Sequence, residues 1–287
     1  SMRVFYHTLP IVCSERPNKN YIGNHIALQH KEQYLAELNA LADATKGFIY
    51  QQYCVGGSGF RQYFSDENGM RIDTMRLRIE EMKTASKISD ALYYYLLCSL
   101  LEAADKVANT ASVYGAYLKK LKKSAQKKLV LEDARFVITK AGHEVYQKDA
   151  NELIQEIQGD ILYLDPPYNA RQYGANYHLL NTIAEYKDFV PQGKTGLRKY
   201  QKSLFCNSSQ VKNAFEAIVA QAKFSYIFLS YNNEGLMSLD DVRSIMSKYG
   251  RYALFQTDYQ RFKADNATER NYKTDSTVEY LHVLEKA

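Results

Sequence analysis

Ile161-Leu162-Tyr163-Leu164-Asp165-Pro166-Pro167-Tyr168 is the stretch that decides how this chain folds. Its first four residues read as a fully buried strand, and the strand runs directly into an acid followed by two prolines. Consecutive prolines fix φ and withdraw two backbone donors, so the segment after the strand is a rigid, non-helical turn. That turn holds a carboxylate, two free carbonyls and a phenol ring in set positions.

Outward from this point, short β-rich runs and helical patterns alternate. Strands are predicted at Arg135 to Thr139, Glu144 to Gln147, Ile161 to Asp165, Tyr226 to Tyr231, Tyr252 to Tyr259 and Val278 to Leu284. Helices are predicted between them at Ala150 to Gln158, Ala175 to Tyr186, Gln210 to Lys223 and Leu239 to Lys248. Alternation of this kind predicts an α/β region with a largely parallel sheet. The last two runs have no helix between them, so they should pair as a hairpin and place an antiparallel strand at one end. In such sheets ligands bind beyond the carboxyl ends of the strands, where the Asp165 turn lies.

The residues before about 135 have a different texture. Leu28 to Thr45, Gly69 to Thr84, Ser89 to Thr110 and Ala116 to Lys128 carry helical spacing, with Asn68 and Ser89 as candidate N-caps. The organisation predicted is a mainly helical region over 1–134 and an α/β region over 135–287. Val55 to Phe60 is a glycine-rich turn. No Lys-Ser/Thr follows it, so it reads as a structural loop and not as a phosphate cradle.

Of 287 residues, 46% are hydrophobic and 24% charged, which excludes a mostly disordered chain. The longest apolar run, Ala91 to Ala104, is too short to span a membrane, and no signal peptide is evident, so a cytoplasmic location is predicted. Ser1 ahead of Met2 reads as a remnant of tag cleavage. Cys13, Cys54, Cys98 and Cys206 form no CxxC pair and the six His no ligand spacing, so neither a disulfide framework nor a metal is predicted. The formal charge of +5 is more than accounted for by Lys119, Lys120, Lys122, Lys123, Lys127 and Lys128, which stand in ten residues without an acid. With no interleaved acid to pair them, and Tyr114 and Tyr117 just upstream, the cluster predicts phosphate contact.

Tyr163 to Tyr173 (Tyr-Leu-Asp-Pro-Pro-Tyr-Asn-Ala-Arg-Gln-Tyr) resembles the catalytic segment of the Dam-like DNA adenine N6-methyltransferases. Arg61 to Asn68 with Arg71-Ile72-Asp73 is similar to the segment that precedes their helical recognition region, and Ser230-Tyr231-Asn232-Asn233-Glu234-Gly235 to their later strand-end motif. The resemblance covers roughly residues 45–287. It implies a Rossmann-like methyltransferase sheet with a helical insertion, S-adenosylmethionine as cofactor and duplex DNA as substrate. Asp165, Pro166, Pro167 and Tyr168 would then be catalytic. The Asp165 carboxylate and the Pro166 carbonyl accept hydrogen bonds from the adenine amine, and Tyr168 stacks on a base that has left the duplex. Asp149, Asp165 and Ser230 would face the cofactor, although Asp149 also fits an N-cap and Ser230 and Asn232 also fit turn formation. Lys119, Lys120, Lys122, Lys123, Arg171 and Tyr173 would meet nucleic acid.

The family pattern also implies a first strand ending in a Phe-x-Gly-x-Gly loop, which is not found before Tyr53. Tyr21-Ile22-Gly23-Asn24 is faintly similar to the family's N-terminal cofactor motif, with His25 in place of the usual basic residue. An N-terminally shortened member is therefore expected, with an incomplete sheet whose exposed edge calls for a protein partner. Two functions stay open: a site-specific enzyme methylating adenine N6, or a catalytically impaired DNA-binding remnant or recognition subunit. Methyl transfer to RNA or to a glutamine amide is a third.

Overall fold

The computed structural model describes residues 3–4, 30–42, 45–111, 113–133, 144–260 and 276–287. The strand predicted at Arg135 to Thr139, the Tyr21 to His25 motif and Cys13 lie outside them. In chain order the elements are β1 (Arg3–Val4), α1 (Lys31–Asn39), α2 (Phe48–Tyr53), α3 (Asp66–Thr84), α4 (Asp90–Val107), α5 (Ala150–Leu153), β2 (Gln158–Leu164), α6 (Tyr173–Asn176), α7 (His178–Glu185), α8 (Val211–Gln221), β3 (Lys223–Asn232), α9 (Leu239–Met246), β4 (Gly250–Gln260) and β5 (Ser276–Lys286).

These fall into two units, one of residues 1–7, 146–174 and 201–287, the other of 8–145 and 175–200. The helical unit is thus discontinuous in sequence, and 175–200, which the sequence reading placed with the α/β region, belongs to it.

The α/β unit is one sheet of order β1-β2-β3-β5-β4. β1, β2 and β3 are parallel, β5 runs antiparallel to β3, and β4 and β5 form the predicted hairpin. The place beside β2 is taken by Arg3 and Val4, paired with Leu162 and Tyr163. One face of the sheet is buried: Leu162, Leu164, Ile227, Leu229, Tyr231 and Leu284 pack with α8 and α9 residues such as Phe215, Ile218, Val242 and Met246. Val211, Ala214, Phe215, Ile218 and Val219 recur at helical spacing, which turns one stripe of α8 to that core. α9 starts in a capping box formed by Ser238 and Asp241. On the opposite face, among the described residues, Ile161 is 41%, Tyr226 40% and Phe255 62% exposed.

The helical unit packs α1, α3, α4 and α7 around Leu38, Ile72, Met75, Ile79, Leu96, Leu100 and Leu179. Ser89 caps α4 as predicted, its hydroxyl accepting from the Leu92 amide. α3 begins three residues earlier than the sequence suggested. Its cap is Ser65, which accepts from the Asn68 amide, so Asn68 is an interior residue and not the cap.

Two further predictions are corrected. Ala116 to Lys128 is a looped segment and not a helix. Its backbone groups are held by side chains instead: the Asn68 amide donates to the Lys127 carbonyl at 2.8 Å and accepts from the Leu129 amide at 2.9 Å, and Asn109 accepts from the Lys122 amide at 3.0 Å. Buried asparagines offer these groups a partner that competes with the helical ladder, and six like charges oppose helix formation. Glu144 to Gln147 is not a strand, since β-rich composition alone does not make one, and Tyr146 packs against the α/β core. The Val55 to Phe60 turn is structural as expected, since a Cβ on Gly57 would lie 2.2 Å from the Tyr50 carbonyl oxygen.

Candidate active site

β2 ends at Leu164, and Asp165 emerges from the carboxyl edge of the sheet with its side chain exposed while Pro167 is buried beneath it. Partial burial raises the Asp165 carboxyl above the ordinary aspartate range. The turn is held from β3. The Leu236 amide donates to the Tyr168 carbonyl at 2.9 Å, and the Tyr231 hydroxyl reaches the same oxygen at 3.4 Å. The Tyr231 and Tyr168 rings meet edge to face, centroids 6.1 Å apart at 88°. Burial pushes the Tyr231 phenol up, which keeps it protonated as a donor. It also accepts from the Met237 amide at 3.3 Å.

Gly235 fits this arrangement because a Cβ there would lie 2.1 Å from the Tyr231 ring. Asn232, one of the residues predicted at this strand end, forms the turn itself by accepting from the Glu234 amide.

Downstream, Asn169 accepts from the Arg171 amide at 2.9 Å, an Asx turn that sends the chain away from the sheet. The Arg171 carbonyl accepts from the Cys206 thiol at 3.5 Å. Gln172 and Ser203 form a reciprocal pair, the Ser203 amide donating to the Gln172 side chain at 2.8 Å and the Gln172 amide donating back at 3.3 Å. The Arg171 side chain is exposed, and Tyr173 is half-buried at the start of α6.

A cleft of about 60 Å³ opens on the buried-face side of the β2 edge, lined by Tyr146, Ala150, Leu153, Leu164, Asp165 and Pro166 among others. Its walls are mostly apolar, with Lys148 and the Asp165 carboxyl as the charged members. Asp149 stands between the lining residues Lys148 and Ala150 and caps α5, one oxygen accepting from the Asn151 amide at 2.9 Å. Ser230 is half-buried on β3 between Leu229 and Tyr231, and strand alternation turns it to the sheet face opposite theirs. The structure therefore brings Asp165 and Pro166 to one cleft, leaves Ser230 off it, and has Asp149 next in sequence to two lining residues but not among them.

In the helical unit, Lys119, Lys120, Lys123 and Lys127 are exposed on the 116–128 loop. Lys122 differs, donating to the Thr110 carbonyl at 2.8 Å. Its ammonium is committed to holding the loop. Among the described residues no group of three or more His, Cys, Asp or Glu side chains is placed to hold a metal, and no helix is long and apolar enough to cross a membrane.

Sequence reading missed the brace formed by Tyr231, Gly235 and Leu236, because it joins segments more than sixty positions apart. The one local signal was a glycine directly after a strand-end turn.

A family model described as D12 class N6 adenine-specific DNA methyltransferase matches residues 15–245. The chain is 60% identical over 269 residues to the type II methyltransferase M.NlaIII of Neisseria lactamica, covering 94% of this chain and 80% of that protein. It is 40% identical over 237 residues to the type II methyltransferase M.CviAII of Paramecium bursaria Chlorella virus 1, covering 83% and 71%. It is also 40% identical over 231 residues to the type II methyltransferase M.FokI of Planomicrobium okeanokoites, covering 79% of this chain but 35% of that one. No solved structure matches.

Proposed function

The chain belongs to the D12 class of N6 adenine-specific DNA methyltransferases, and from that premise we propose that Asp165, Pro166, Pro167 and Tyr168 form its adenine site, with S-adenosylmethionine as the methyl donor and duplex DNA as the substrate. The observation that carries this is the braced turn: a carboxylate, a proline carbonyl and an aromatic ring at the carboxyl end of β2, fixed through the Tyr168 carbonyl by Leu236 and Tyr231.

The adenine amine is a weak nucleophile because its lone pair is delocalised into the ring. The Asp165 carboxylate and the Pro166 carbonyl each accept one of its hydrogens, which holds the nitrogen toward tetrahedral geometry and frees the lone pair. Both acceptors also stabilise the positive charge that develops on that nitrogen. Pro166 has no N–H of its own to compete, and neither does Pro167. Tyr168 offers a ring for the extruded base, paid for by unstacking it from the duplex. The cofactor, when bound, supplies an electrophilic methyl group. The cleft beside Asp165 is the place for its purine, with Asp149 at the rim. Lys119, Lys120, Lys123 and Arg171 contact phosphates, and Tyr173 lies along the path of the strand.

The test pairs calorimetric titration of S-adenosylmethionine with transfer of labelled methyl groups to adenine in duplex DNA. Binding and transfer by the wild-type chain, with transfer lost in Asp165→Ala while DNA is still bound, supports the reading. DNA binding with no heat at millimolar cofactor would leave a DNA-binding remnant.

A further inference from the structure

We propose that a second cavity, beside the catalytic turn, holds a phosphodiester of the DNA strand that carries the target adenine. It is about 350 Å³, in the range of small-ligand sites. Its polar lining consists of Gln172, Lys202, Ser203, Asn207, Ser208 and Gln210, and the remaining walls are aliphatic or thiol. Among the described residues the lining has one cation, no acid and no aromatic ring.

The hydrogen bonds within this wall engage the side-chain oxygens of Asn207, Gln210, Gln172 and Ser203 as acceptors. The Asn207 side-chain oxygen accepts from both the amide and the hydroxyl of Ser209, at 3.0 and 2.8 Å. The Gln210 oxygen accepts from the Asn207 amide at 3.1 Å, and the Gln172 oxygen from the Ser203 backbone at 2.8 Å. The Ser203 hydroxyl oxygen accepts from the Phe205 amide at 3.2 Å. Among the described residues, the donors these bonds leave available include the Lys202 ammonium, the Ser203 and Ser208 hydroxyl protons and the Gln210 NH₂, against the Ser208 hydroxyl oxygen as an unengaged acceptor. A nucleobase edge asks for acceptors as well as donors and for a ring to stack on, whereas a phosphodiester asks for donors and a positive charge.

The position fits the same ligand. Ala170, on the cavity wall, is five residues past Asp165, at most about 18 Å along an extended chain. The wall is tied to the catalytic segment by the Gln172–Ser203 pair and by the Cys206 thiol on the Arg171 carbonyl. A strand whose adenine lies at Asp165 therefore has its adjoining backbone beside these donors. This inference rests on the reading of Asp165 to Tyr168 as the adenine site.

The test enriches short duplexes from a randomised pool on the wild-type protein and measures binding of the selected duplex against salt. Lys202→Gln should reduce the magnitude of the log K against log salt slope by about 0.9, the loss of one phosphate contact. Ser208→Phe, which fills the cavity, should weaken binding, and Lys223→Gln, exposed at the start of β3, should change nothing. A neutral methylphosphonate at one position beside the methylated adenine should weaken the wild type and leave Lys202→Gln indifferent. Wild-type slope and affinity in both Lys202→Gln and Ser208→Phe would overturn the proposal. So would a loss of S-adenosylmethionine affinity in both with DNA affinity intact, which would assign the donors to the cofactor's carboxylate. If the wild type enriches no duplex, the adenine-site reading fails and this inference with it.

Discussion

The Tyr231 hydroxyl lies 3.4 Å from the carbonyl oxygen of Tyr168, and the two rings meet edge to face at 88°. Tyr231 is 1% exposed, so this is a buried brace behind the ring proposed to stack on the target base. Tyr231→Phe keeps the ring packing and removes the hydroxyl, which leaves the Met237 amide without an acceptor. Stability should fall by about 1 kcal/mol. Methyl transfer should fall about tenfold through kcat, with KM for DNA little changed, because orientation of Tyr168 and not contact with DNA is lost. Gly235→Ala should be worse, since its Cβ would drive into the Tyr231 ring. Steady-state kinetics and a urea midpoint on each variant check both statements.

In the proposed site Asp165 accepts from the adenine amine as a carboxylate, and partial burial raises its pKa. The acid limb of the kcat/KM profile should therefore lie above the ordinary aspartate pKa, with activity lost as pH falls through it. Asp165→Asn should lower kcat by about 10²-fold or more, remove that limb and leave DNA affinity unchanged. A pH–rate profile of the two proteins measures it.

Four lysines of the 116–128 loop have free ammonium groups among the described residues, and Lys122 does not. Replacing Lys119, Lys120, Lys123 and Lys127 with Gln should reduce the magnitude of the salt slope for duplex DNA by about 3.6 at unchanged stability. Asn68→Ala keeps every lysine but strips the loop of its anchor, at a cost of about 3 kcal/mol. Filter binding over a range of salt, with thermal melts, distinguishes charge from scaffold.

Asp73 is buried on α3, where it accepts from the Ile49 and Tyr50 amides and the Tyr186 hydroxyl. Burial nonetheless raises its pKa from 3.8 to about 6. Between those values the folded chain keeps a proton that the unfolded chain has released, so folding stability linked to Asp73 is fully present below about 3.8 and is lost as pH rises through about 6. The difference in urea midpoint between the wild type and Asp73→Asn should change over that window and level off above it.

Much of this was legible in the residues alone. The buried run Ile161 to Leu164, the two prolines after it and the β4–β5 hairpin follow from local rules of burial, fixed φ and chain alternation, which need no knowledge of distant segments. The resemblance of Tyr163 to Tyr173 to one enzyme family is local for the same reason, since a catalytic turn gathers its acceptors within four positions.

Tertiary structure decided the rest. It turned Ala116 to Lys128 from a helix into a loop, because Asn68 and Asn109 supply hydrogen bonds that helical spacing cannot reveal. It kept Glu144 to Gln147 out of the sheet, since β-rich composition alone does not make a strand. It moved 175–200 into the helical unit and set Ser230 on the face away from the cleft. It also closed Tyr231 and Leu236 onto Tyr168. Each of these depends on a partner far along the chain. A sequence states what a residue can offer, and only the folded backbone determines which distant group receives it.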